Sequence, residues 1–153
     1  MSLDGTDSGL EKALIIYYGV LQTAHLLGIV ITGLTWIRGG GLGVLARPPL
    51  TGWSAQAIHF LVGTGLVDFF IAIGALIFVV RYLKGFKGSE FLGAVVLTGS
   101  LYSAAVYAYG TIRSGAWQLH PMTYLLMTSA FIPVILLAIT YLGGHLRTDG
   151  ESG

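Results

Sequence analysis

Residues 54–82, SAQAIHFLVGTGLVDFFIAIGALIFVVRY, decide the fold. Between Ser54 and Arg81 the segment carries one charged residue, Asp68. About 20 mainly apolar residues in a helix cross the hydrocarbon core of a bilayer, so this segment is long enough to span one. Three more segments read the same way: Glu11 to Trp36, Glu90 to Ile112, and His120 to Leu142. Each is bounded by glycine, proline or charge. The connections are a glycine- and proline-rich loop from Gly39 to Gly52, a short basic turn from Lys84 to Ser89, and a tight turn from Arg113 to Trp117.

Composition agrees with a membrane protein. Of 153 residues, 54% are hydrophobic and 10% are charged, against about 25% charged in soluble domains. Lys and Arg number 8, Asp and Glu 7, for a net charge of +1, so nucleic acid is not an expected partner. There is no cysteine, which excludes disulfides, thiolate metal sites and cysteine nucleophiles. Met1 to Gly9 contains Asp4 and Asp7 and no basic residue, unlike the positive start of a secretory signal. The first apolar segment therefore reads as a retained membrane helix.

The expected fold is all-α: an up-down bundle of four transmembrane helices with both termini on the cytoplasmic side. Residues 1–9 read as a polar tail, 10–143 as the membrane domain, and 144–153 as a second, mobile polar tail. Lys12, Arg81, Lys84, Lys87 and Arg147 fall on the side of the termini, and Arg38, Arg47 and Arg113 on the other. That bias favours termini in the cytoplasm of a multi-pass cell-membrane protein. Trp36, Trp53 and Trp117 all fall at the opposite ends of the helices, at the other interface. Small residues four apart allow close helix packing: Gly19 with Thr23, Gly28 with Thr32, Gly99 with Ser103, and Ser100 with Ala104 and Ala108. Pro133 should kink the last helix, whereas Pro121 falls in its first turn, where a missing N–H is harmless.

Ionisable groups inside a membrane helix are costly and mark candidate functional sites. His59 and His120 each sit near the outer start of a helix, and those two helices run parallel on a bundle diagonal. Facing imidazoles there can supply both axial ligands of a haem b iron. Gly63, one turn from His59, would leave room for the macrocycle, with Leu66 and Phe70 beyond it. Trp117, Tyr124, Met127 and Phe131 would line the other side. The alternative is that both histidines are interfacial and hydrogen-bonded to loops or headgroups. His25 and Asp68 fall at matched depth on neighbouring helices and read as an intramembrane polar pair. Gln22, Tyr18 and Thr32 share the face of His25. This pair is read as a structural device fixing register, a proton relay, or a polar anchor for a quinone. Asp68 follows His59 by nine positions, which places the two about 180° apart on one helix.

The layout resembles one four-helix half of haem A synthase, including the half-size archaeal type. The resembling features are the loop from Gly39 to Gly52, His59 in AIHFLVG, and His120 in QLHPMTY. The resemblance implies a membrane oxidoreductase with haem iron held by His59 and His120. Gln56 stands where that family carries a glutamate, Phe60 where it carries an arginine, and the loop lacks the family's cysteines. Three functions remain open from sequence: a haem protein passing electrons in a respiratory membrane, a cofactor-free accessory subunit of a larger complex or homo-oligomer, and a small proton or ion conductor using His25 and Asp68.

Overall fold

A computed structural model describes residues 4–43 and 46–150, with side chains placed for residues 9–43 and 46–143. The described residues form helices and turns, with no strand. The helices are α1 (Asp4–Ile37), α2 (Ala55–Leu83), α3 (Ser89–Arg113), α4 (Ala116–Leu119), α5 (Pro121–Ser129) and α6 (Ile132–Gly150). Four spans, Gly9–Ile37, Ala55–Leu83, Ser89–Arg113 and Pro121–Gly143, are long and apolar enough to cross a membrane. Their outward faces carry Val20, Phe70, Phe91 and Ile139, each at least 65% exposed. Water would not tolerate so large an apolar surface, and lipid solvates it. The chain is a multi-pass membrane protein.

α1 is helical from Asp4, and α6 stays helical to Gly150. A helix already nucleated inside the bilayer propagates into water at little further cost. The turn expected from Arg113 to Trp117 contains the start of α4, entered through Gly115 at φ +76°.

Local sequence explains the other boundaries. Ser54 caps α2, its Oγ accepting from Ala57 N at 3.2 Å. The basic turn needs positive φ at Gly85 and Gly88, which glycine adopts without strain. Arg81 closes that turn by donating to the Lys87 carbonyl at 2.8 Å. The fourth span breaks between α5 and α6. Pro133 has no N–H for the Ser129 carbonyl, and its ring crowds that carbonyl.

α1 packs on α2 and α6, and α3 packs on α2 and α6, so α1 and α3 are diagonal across the bundle. The inner half, towards the start of α1, is densely filled. Ile15, Tyr18, Phe78, Leu97, Val134 and Leu137 are completely buried there. Gly93 lets α3 approach α2 and α6: a Cβ at this position would lie 2.6 Å from Phe78 Cε2 and 2.7 Å from Tyr141 Oη. Two of the expected seams are close contacts at their glycines, with a Cβ on Gly19 falling 3.1 Å from Val79 and one on Gly99 falling 3.1 Å from Ile71.

The outer half is different. α6 packs on α1 and α3, whereas α5 meets α3 through the rings of Tyr124 and Tyr107, whose centroids are 6.4 Å apart. The break before Pro133 thus lets one bundle close at its inner end and open at its outer end.

Candidate functional site

The open half holds a half-open cavity of about 820 Å³, lined by all four spans and by Leu42 and Ala46 of the loop. Its walls are mainly apolar, and the polar lining runs from Gln22, Ser100 and the His25–Asp68 level outward to Thr32, Thr64, Tyr107 and Thr128. This is the composition of small-molecule sites, which commonly occupy 300–1,000 Å³. Ser103, Ala104 and Ala108 line the cavity; expected to seat a neighbouring helix, they leave space instead. Leu34, Leu66 and Leu126 also line it while remaining at least half exposed, so the space is not sealed from the bilayer.

His25 and Asp68 meet at this cavity. His25 Nε2 lies 3.6 Å from Asp68 Oδ2, and the side chains are 25% and 16% exposed. The separation is within ion-pair reach but longer than a good hydrogen bond. Both polar groups therefore keep bonding capacity on the cavity side. One turn inward, the Gln22 amide donates to Ser100 Oγ at 3.1 Å, and the Tyr18 and Ser100 hydroxyls are 2.7 Å apart. The expected polar face of α1 is thus real and divided. Tyr18 and Gln22 are consumed in a buried network, while His25 faces open space.

Two further hydroxyls belong to the site, one of them on the expected polar face of α1. Thr32 Oγ1 and Ser103 Oγ are buried without a hydrogen-bond partner, and both residues line the cavity. Thr32 was visible as part of the stripe. Ser103 looked like a packing residue, because a small side chain gives the same signal at a helix contact and at a cavity wall.

His59 and His120 lie elsewhere. His59 is exposed near the start of α2, and His120 is half-buried at the N-cap of α5, with φ −128° and ψ 52°. Neither lines the cavity. Gly63 is exposed, and an added Cβ there would meet nothing within 4 Å. Tyr124 is 1% exposed and serves as a strut. Its hydroxyl donates to the Arg47 carbonyl at 2.6 Å, and its ring stacks on Trp117 with centroids 5.6 Å apart. Trp117 in turn donates to Thr111 Oγ1 at 2.9 Å. Axial haem ligation requires both imidazoles to aim into one enclosed apolar space. As placed, His59 and His120 do not fit a haem in this cavity. Among the described residues there is also no group of three or more His, Cys, Asp or Glu suited to a metal ion.

The chain matches no family model, no curated protein and no solved structure. The likeness to half of haem A synthase therefore rests on layout alone.

Proposed function

We propose that this protein is a membrane-embedded binding protein for a lipid-soluble small molecule. The observation that carries this reading is the cavity of about 820 Å³ with the His25–Asp68 pair on its wall. An apolar cavity with one convergent polar locus holds an amphiphile by burying its body and fixing its head. The gaps beside Leu66 and Leu126 give such a molecule a route from the bilayer. The filled inner half, with Phe78, Leu97 and Leu137 fully buried, favours a site reached from one side over a proton path through the bundle. The Lys and Arg bias supports termini in the cytoplasm and a cavity in the outer leaflet of the cell membrane.

Gly65 provides the test. It lines the cavity on the face of α2 shared with Asp68, and an added Cβ meets nothing within 4 Å. Gly65→Phe should push a ring into the cavity beside Asp68 from a position where a Cβ has room, and it removes a helix-interior glycine that costs about 1 kcal/mol. Wild type and Gly65→Phe would be purified in mild detergent, extracted with organic solvent and compared by mass spectrometry. The expected result is a lipid-soluble species enriched with wild type and lost from an equally folded Gly65→Phe. Identical extracts would overturn the reading. A Soret band in the purified wild type would assign haem instead, through His59 and His120.

A further inference from the structure

Helical register fixes which polar groups of the cavity wall lie at one depth. α1 and α3 run in the same direction, and the Gln22–Ser100 hydrogen bond sets their relative height. Three residues further along each helix come His25 and Ser103. Each has risen by about 4.5 Å at 1.5 Å per residue, so they stand at one depth on opposite sides of the bundle. α2 brings Asp68 to His25 at that level.

Ser103 is the informative member. A hydroxyl in a membrane helix normally bonds back to a carbonyl of the preceding turn. Thr23, Thr35, Thr64, Thr111 and Thr140 all do so, at 2.8–3.0 Å. Ser103 Oγ does not, although the residue is only 5% exposed. A buried hydroxyl left unpaired costs about 1–3 kcal/mol. Ser103 lines the cavity at the depth of the His25–Asp68 pair.

Resting on the binding function proposed above, we infer that the ligand is a quinone or its quinol, with its ring bridging the two walls. One ring oxygen meets His25 and Asp68, and the oxygen at the far end of the ring meets Ser103. A quinone accepts from the His25 ring N–H and the Ser103 hydroxyl. A quinol donates to the Asp68 carboxylate and to Ser103 Oγ. The isoprenoid tail runs outward past Leu34 and Phe131. A lipid with one polar end, such as a sterol or fatty alcohol, satisfies one wall and leaves the other unpaired, so the site discriminates against it.

Binding of decylubiquinone would be followed in nanodiscs by quenching of tryptophan fluorescence, since Trp36 lines the cavity. Saturable quenching is expected. Ser103→Ala should raise the Kd of decylubiquinone about tenfold, the loss of one hydrogen bond to a buried group, and Asp68→Asn should do the same for decylubiquinol, the form that donates to the carboxylate. Octadecanol in molar excess over decylubiquinone should not compete. Melting temperatures verify folding, and Ser103→Ala decides alone if Asp68→Asn does not fold. Unchanged affinity in Ser103→Ala, or displacement by octadecanol, overturns the two-ended head group while leaving the cavity function standing. The same holds if decylubiquinone fails to bind while Gly65→Phe strips a different lipid from the extract. No quenching together with identical extracts overturns both.

Discussion

The side-chain amide of Gln22 donates to Ser100 Oγ at 3.1 Å, joining two helices that lie diagonally across the bundle. Tyr18 adds its hydroxyl to the same Ser100 oxygen at 2.7 Å and reaches the Val96 carbonyl at 3.1 Å. This network lies at the boundary between the filled half and the open half. It closes the floor of the cavity with polar groups that satisfy one another.

Ser100→Ala should therefore destabilise the fold. It removes the shared oxygen and leaves the buried Gln22 amide without an acceptor. The expected cost is about 1–2 kcal/mol, within the range for an orphaned buried polar group. Unfolding in mixed micelles by added SDS measures it. Adding Gln22→Leu to Ser100→Ala should recover part of the loss, because the orphan is then gone.

The His25–Asp68 pair should show the asymmetry of charges held away from water. His25→Leu leaves the Asp68 carboxylate facing apolar walls, a loss on the order of 2 kcal/mol. This is below the range for a fully buried pair, because the two side chains keep 25% and 16% exposure. The double variant His25→Leu with Asp68→Leu should be more stable than His25→Leu alone. A double-mutant cycle on the same unfolding assay reads the coupling.

Much of the bundle was legible because length and hydropathy alone select membrane helices. Asp68 and His25 were legible as a pair because counting from charged boundaries sets depth in a helix of fixed rise. The cavity was not legible. It depends on how far α5 swings from its neighbours, which a proline announces but does not measure. His59 and His120 drew attention because an ionisable side chain near a helix start gives one signal for a ligand and for an interfacial residue. Only side-chain direction separates those cases, and it leaves His59 exposed and Tyr124 tied to the Arg47 carbonyl.

Gly93 should be the least tolerant glycine of the inner half. A Cβ there would press on Phe78 and on the Tyr141 hydroxyl, both within 2.8 Å. These rings pack edge-on with centroids 5.5 Å apart, so neither moves without disturbing the other. Gly93→Val should cost about 1–3 kcal/mol by overpacking. Gly65→Phe, which meets open space, should not destabilise. The two melting temperatures measured side by side separate a packing glycine from a cavity glycine.

Tyr124 should govern the loop more than the bundle. Its hydroxyl holds the Arg47 carbonyl at 2.6 Å, and Trp53 holds the Ala46 carbonyl at 3.0 Å. Tyr124→Phe keeps the ring stacked on Trp117 and removes only the first of these ties. Cleavage by trypsin at Arg38 is the readout, since Pro48 after Arg47 blocks the other loop site. The expected outcome is faster cleavage of Tyr124→Phe, by several-fold, with a melting temperature lowered by no more than the equivalent of about 1 kcal/mol.

Pro133 should control the volume of the cavity. Without an N–H at this position the Ser129 carbonyl has no helical partner, and the fourth span is interrupted between α5 and α6. Pro133→Ala restores a donor and relieves the clash of the ring, so the fourth span should straighten. The outer end of that span would then move towards the core, bringing Met127 and Phe131 into the space they now border. Ligand affinity should fall even though neither His25, Asp68 nor Ser103 has changed. Stability without ligand should hold or rise, because helix-interior proline costs about 3 kcal/mol relative to alanine. Parallel titrations and melting curves on Pro133→Ala test this, and weaker binding with a raised melting temperature is the expected pair of results. Unchanged binding would place the opening of the bundle in the loop that carries Leu42 and Ala46.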